Sequence, residues 1–137
     1  MLKYKFIDRI TSDVMFEAYG KDLKELLTNS AEALAETICG ADKVLPKKSV
    51  TVKAEGTDEK ELLFNWLQQI IAAVDIHAMF FSKFKITKRA NNKLEAELWG
   101  EDISQDKGKT VVKAVTYFNF KLEKDKKGYK ATVSMDI

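Results

Sequence analysis

The feature that most constrains the fold is a broad apolar stripe between residues 62 and 74. Its members recur at spacings of three and four, which predicts one face of an α-helix: Leu62, Leu63, Trp66, Leu67, Ile70, Ile71 and Val74. The segment before it, Asp58-Glu59-Lys60-Glu61, resembles a capping box, in which side chains satisfy the free N–H groups at a helix start. We therefore expect this helix at the centre of the core, with Trp66 as a packing residue.

A second helical pattern and seven strand-like runs complete the chain. The helix is predicted from about Asp22 to Cys39, with apolar residues again on one face. The predicted strands are Leu2–Ile10, Val14–Tyr19, Ser49–Ala54, Met79–Lys88, Lys93–Trp99, Thr110–Glu123 and Tyr129–Asp136. This order predicts one α+β domain over residues 1–137, with a mixed or antiparallel β-sheet and the two main helices packed on one face in a second layer.

Several classes of protein are excluded by what 137 residues contain. There is one cysteine, Cys39, so the chain has no internal disulfide framework and no cysteine-rich zinc site. The single histidine, His77, is expected at a helix C-terminus or on the surface, and Cys39 is expected to be a buried, inert thiol. No run of about 18 apolar residues and no signal-peptide pattern is present. We expect no membrane partner and a cytoplasmic location.

The charge is divided unevenly along the chain. Residues 1–82 carry 10 basic and 13 acidic groups, whereas residues 83–137 carry 13 basic and 8 acidic groups. The net charges are thus −3 and +5. Lysine-rich, solvated strand faces that discourage edge pairing are one explanation. A surface for RNA or for an acidic protein is the other.

Two carboxylates lie one residue apart at the end of the sequence, on Asp136 and on the main chain of Ile137. Alternation along the last strand directs Asp136 away from the apolar face. Two oxygen donors are half of a cation site, because such a site needs several converging oxygens. Asp8 and Asp13 are the best further donors, although Asp13 also fits a turn aspartate that binds local amides. Spacing alone does not bring Asp13 next to Asp136.

Several motifs, in this order and spacing, resemble the archease family over essentially the whole chain. The match begins with a phenylalanine-containing strand, a motif with an aspartate, a strand ending at glycine, and a leucine-containing helix start. The segments are Phe6-Ile7-Asp8-Arg9-Ile10-Thr11-Ser12-Asp13-Val14, Ala18-Tyr19-Gly20, Asp22-Leu23-Lys24-Glu25-Leu26-Leu27, Leu62-Leu63, Trp66-Leu67, Phe81-Ser82-Lys83-Phe84, Gly100-Glu101, Val112-Lys113-Ala114-Val115-Thr116-Tyr117 and Asp136-Ile137.

The resemblance implies an accessory protein and not an enzyme. Archeases activate the GTP-dependent RNA ligase of tRNA splicing by promoting its guanylylation and multiple turnover. Their metal site maps onto Asp13, Asp136 and Ile137, and it implies bound calcium, with magnesium or manganese as alternatives. The ligase is the implied partner, with tRNA or tRNA-modifying enzymes as further ones. The alternative function is a general protein or RNA chaperone in which the metal is purely structural.

The sequence departs from the family pattern at its histidines. Ile10 and Phe118 occupy two positions at which the family often has histidine, and the loop after Gly100-Glu101 lacks the usual one. A role for imidazole is therefore not expected here, whereas the oxygen donors are unaffected. Lys113 is the best-placed basic candidate for assisting phosphate chemistry, and a structural strand lysine is the alternative reading.

Overall fold

The computed structural model describes residues 2–10 and 13–137, with the backbone alone for residues 8–10. The chain forms strands and helices in the predicted order. The elements are β1 (Tyr4–Ile10), β2 (Asp13–Gly20), α1 (Leu23–Ile38), a short 3-10 turn (Ala41–Lys43), β3 (Lys48–Glu55), α2 (Glu59–His77), β4 (Met79–Ala90), β5 (Lys93–Asp102), β6 (Ala114–Asp125) and β7 (Gly128–Asp136).

The strands form two sheets, and every pair is antiparallel. One sheet has the order β1-β2-β7-β6 and the other has the order β3-β5-β4. The predicted α+β class is confirmed, although the expected single sheet is divided. The division follows from residues 103–113, which leave β5 as an irregular connection instead of a strand. The backbone N–H of Lys109 donates to the carbonyl oxygen of Ile38 at 2.9 Å, and this bond holds the connection against the end of α1.

Both helices begin with the same polar arrangement. In α2 the Asp58 side chain accepts a hydrogen bond from the Glu61 backbone N–H at 2.8 Å, and Glu61 accepts one from the N–H of Thr57 at 3.0 Å. Asp22 and Glu25 do the same at the start of α1. The predicted capping box of α2 is confirmed. These bonds satisfy N–H groups that have no partner inside the helix.

The core lies between the helices and the two sheets, and Trp66 is fully buried in it. Its indole N–H donates a 2.9 Å hydrogen bond to the backbone oxygen of Leu27, which ties α2 to α1. Other large side chains with essentially no exposure belong to the same core: Phe16, Leu26, Leu34, Leu62, Leu63, Leu67, Ile70, Met79, Leu98 and Met135. No helix in the described part of the chain is long and apolar enough to cross a membrane.

Strand β6 departs from the predicted run in two ways. It begins at Ala114 and not at Thr110. It also bulges, because Thr116 and Lys121 are paired with residues of β7 that are only two positions apart. Within the bulge the ring of Tyr117 stacks on Phe64 of α2, with centroids 4.1 Å apart. The aromatic residues of β6 are thus divided between the buried Phe120 and the exposed Tyr117 and Phe118.

Replacing Trp66 with phenylalanine should lower the free energy of unfolding by about 2–3 kcal/mol, because the variant loses a buried hydrogen bond and leaves a cavity. Urea unfolding of the variant and the parent protein measures this difference.

The matched control is Trp99→Phe. The indole N–H of Trp99 is buried and has no hydrogen-bond partner in the described residues. This substitution should cost less than about 1 kcal/mol, since no bond is lost. Equal losses in the two variants would show that the bond to Leu27 contributes little.

Candidate metal centre

Asp13 and Asp136 lie directly opposite each other on neighbouring strands. They are the terminal pair of the β2–β7 ladder, which continues without a break to Gly20 opposite Tyr129. Opposed residues of an antiparallel pair direct their side chains to the same face, with Cβ atoms about 4.5–5.5 Å apart. The structure thus brings together the two predicted aspartates, both of them half-buried.

The backbone at Asp136 is held from both sides. Asp136 is paired with Asp13 on β2 and with Ala114 on β6, and its carbonyl oxygen accepts a 2.8 Å hydrogen bond from the N–H of Lys113. Ile137 follows, partly buried against the hydrophobic core. These contacts fix the segment that carries the candidate donors.

The apolar face predicted for the last strand is confirmed, but one residue of the predicted polar face is also buried. Ala131, Val133 and Met135 are fully buried, as expected, but so is Ser134 on the opposite face. Ser134 lies opposite Thr116 of β6, one row further along the face that carries the aspartates. Both hydroxyl oxygens are buried without a hydrogen-bond partner in the described residues.

The hydroxyls of Ser134 and Thr116 are thus buried polar groups on the same sheet face as the two aspartates. A buried hydroxyl without a protein partner commonly binds water, an ion or a ligand. The sequence did not reveal this feature, because Ser134 shares its strand face with the polar residues Thr132 and Asp136 and therefore resembles a surface position. The pairing of Ser134 with Thr116, which depends on the bulge in β6, is what places them side by side.

The donor set fits a hard cation. No three histidine, cysteine, aspartate or glutamate side chains of residues 2–7 and 13–137 form a metal-binding group. Side chains therefore supply two carboxylates, Asp13 and Asp136, and a main-chain carboxylate on Ile137 would be the third donor. Oxygen donors of this kind suit calcium, magnesium or manganese and not thiophilic metals. The side chain of Asp8, the other donor considered, lies outside the described residues.

Elsewhere on this face, negative charge is compensated. Glu17 accepts a 2.7 Å hydrogen bond from the Tyr19 hydroxyl and pairs with Lys5 and Lys130 at 3.5 and 3.4 Å. The bond from Tyr19, followed by the lysine charges, lowers the pKa of Glu17. Among the described residues, no lysine or arginine pairs with Asp13 or Asp136. Within the described residues, no basic side chain thus compensates the charge of the aspartate pair.

The other residues singled out in the sequence, His77, Cys39 and Lys113, are not part of the aspartate pair. His77 is the exposed last residue of α2, as predicted. Cys39 is buried, its thiol donates to the Ala35 carbonyl at 3.3 Å, and burial raises the pKa of the thiol to about 11. It is therefore the inert cysteine that we expected. Lys113 is exposed and precedes β6, with its backbone tied to Asp136.

Fold and site together define a small α+β protein with two sheets, in which two opposed carboxylates lie at one end of the four-stranded sheet. Residues 4–137 match the family model described as the Archease protein family. The chain belongs to the archease family.

Two curated relatives named "Protein archease" match the chain along its length. The protein from Sulfurisphaera tokodaii is 36% identical, with all of both chains covered. The protein from Archaeoglobus fulgidus is 33% identical, with 99% of this chain and all of the relative covered.

Two solved structures share the fold. Protein 1598 of Methanobacterium thermoautotrophicum is 28% identical, with a TM-score of 0.83 over 98% of this chain and 99% of the other. A protein of Thermotoga maritima, described as an archease and possible chaperone, is 20% identical, with a TM-score of 0.70 over 96% and 95% of the two chains. At this identity, the second likeness shows the fold alone.

Replacing Asp136 with asparagine should raise the free energy of unfolding by about 0.5 kcal/mol in a metal chelator, because opposed like charges on neighbouring strands repel each other. Urea unfolding at neutral pH and low salt measures the change, and higher salt should reduce it by screening.

The control is Asp106→Asn, which removes the same charge from an exposed loop position. It should change stability little. A clear loss of stability for Asp136→Asn in chelator would show that a favourable contact, and not repulsion from Asp13, dominates at this carboxylate.

Proposed function

We propose that this protein is a metal-binding accessory factor that activates a GTP-dependent RNA ligase of tRNA splicing in the cytoplasm. In this proposal it promotes guanylylation of the ligase and its multiple turnover, and it performs no catalysis of its own. The single observation that carries the proposal is the opposition of Asp13 and Asp136 at the end of a firmly paired sheet. Membership of the archease family supports the choice of partner.

The residues that would hold the cation are the side chains of Asp13 and Asp136 and the main-chain carboxylate of Ile137. A bound divalent cation supplies positive charge for phosphate oxygens, which is what nucleotidyl transfer requires. Calcium is the ion that we propose, with magnesium or manganese as alternatives. The chain's own part is to keep the two aspartates opposed, through ladder bonds on both sides of β7.

The second candidate is a general protein or RNA chaperone that assists tRNA-modifying enzymes, with the metal in a purely structural role. The Thermotoga maritima relative is described as a possible chaperone. A specific observation also favours this candidate. Ile76, Ile103 and Val111 are 75%, 47% and 80% exposed, and apolar side chains of this kind suit contact with protein surfaces.

Asp13→Ala and Asp136→Ala should each abolish stimulation of ligase turnover while the protein stays folded, because each removes one of two side-chain donors. The measurement is multiple-turnover joining by the purified ligase with GTP, with and without this protein. Circular dichroism checks the fold of each variant.

Glu97→Ala is the matched control, since it removes a carboxylate from the other sheet. It should leave stimulation unchanged. Stimulation that survives both aspartate substitutions would refute the proposal. Suppression of aggregation of a tRNA-modifying enzyme, unchanged by the same substitutions, would favour the chaperone.

Adding a few residues after Ile137 should weaken calcium binding about tenfold or more, because it removes a main-chain carboxylate donor without changing any side chain. Isothermal titration with calcium measures the affinity, and the same extension before Met1 is the control. Unchanged affinity would remove Ile137 from the donor set and leave the two aspartates in it.

A further inference from the structure

A groove of about 1010 Å³ runs between α2 and the open end of the three-stranded sheet. It is separate from the aspartate pair, which belongs to the other sheet. Ala54 and Leu94 contribute to its floor, and Asn65 and Gln68 of α2 form one wall. Arg89 lies on the opposite wall, where it is paired with the buried Leu94 on the inner face of the β4–β5 hairpin.

The rim of this groove is lined by charged residues from both faces of the three-stranded sheet. Its lining includes four basic residues and two acidic ones: Lys53, Lys88, Arg89, Lys93, Glu55 and Glu95. Each glutamate pairs with one lysine, Glu95 with Lys88 at 3.9 Å and Glu55 with Lys93 at 3.6 Å. Arg89 has no carboxylate partner among the described residues, and it shares the inner face of the sheet with Leu94. Lys53 lies opposite Glu95, on the outer face. An unpaired guanidinium presents a fork of donors that matches a phosphate.

The amide wall is oriented by bonds to the backbone. The Asn65 amide nitrogen donates to the Glu55 carbonyl oxygen at 2.8 Å, which leaves the Asn65 amide oxygen as an acceptor. The Gln68 amide oxygen accepts from the Val115 N–H at 2.9 Å, which leaves its NH₂ group as a donor. The two side chains lie one helical turn apart, so one free acceptor and one free donor occur side by side.

We propose that this groove binds nucleotides, with the phosphate on Arg89 and the edge of the base on Asn65 and Gln68. A nucleobase edge offers both a donor and an acceptor, which the fixed amides complement. The phosphate accounts for the unpaired guanidinium of Arg89. The same chemistry occurs in a free mononucleotide and in single-stranded RNA. The groove is open at the edge strand β4, which lets a chain continue past it and favours the RNA.

The test uses the full-length protein with a short fluorescein-labelled single-stranded RNA, and with ATP and GTP as mononucleotide probes. Anisotropy should show RNA binding that weakens with salt, and Arg89→Glu should weaken it about tenfold or more. The slope of log affinity against log salt should fall by about 0.7 for one lost phosphate contact. Tighter binding of ATP or GTP than of RNA would assign the groove to free nucleotides.

Gln68→Glu tests the base contact, because it keeps the acceptor for Val115 and replaces the donor. It should weaken binding as well. The matched controls are Lys126→Glu for Arg89 and Gln105→Glu for Gln68, which make the same charge changes at exposed positions outside the groove. Thermal unfolding checks that every variant is folded. The proposal is overturned if neither RNA nor mononucleotide binds, or if groove and control variants weaken binding equally.

Asp136→Asn separates this inference from the proposed function. Nucleotide binding measured in chelator should be unchanged in this variant, because the carboxylate pair lies outside the groove lining. Loss of binding in Asp136→Asn alone would place the nucleotide at the aspartates and overturn the assignment to the groove.

Discussion

The pairing of β2 with β7 is the interaction on which the candidate metal centre depends. Eight consecutive residue pairs join a strand near the start of the chain to its last strand. One face of this ladder, with Phe16, Ala18, Ala131 and Val133, is fully buried against the core. A shift of one residue would turn that apolar row to the opposite face, so burial of the row fixes the register. The register in turn places Asp13 opposite Asp136.

Much of the fold could be predicted because it is encoded locally. The stripe around Trp66 and the capping box at Asp58 each specify part of helix α2 through nearby residues, and both are present. The division into two sheets could not be predicted in this way. It depends on where residues 103–113 leave β5, and a bond between distant residues, Lys109 to Ile38, helps to determine that course.

The candidate metal centre also depends on residues that are distant in sequence, which local patterns do not predict. Asp13 and Asp136 are separated by nearly the whole chain, so their spacing in the sequence did not predict that they are paired. The resemblance to the archease family predicted it. Neither the residue spacing nor the family resemblance predicted the buried hydroxyls of Ser134 and Thr116. Their positions depend on a bulge in β6 that period-two alternation does not predict. That the aspartates bind a metal ion is still a prediction.

Gln68 connects the two candidate sites. It lines the groove, and its amide oxygen accepts from Val115, the residue next to Ala114, which pairs with Asp136. The link runs through one helix and paired strands, with Phe64 and Tyr117 stacked beside it. Coupling between sites requires an element with two alternative arrangements. A link of well-packed, bonded groups instead holds the sites at a fixed separation. Such rigidity suits a protein that presents a carboxylate centre and a basic groove to one partner at once, because neither surface must be ordered on binding.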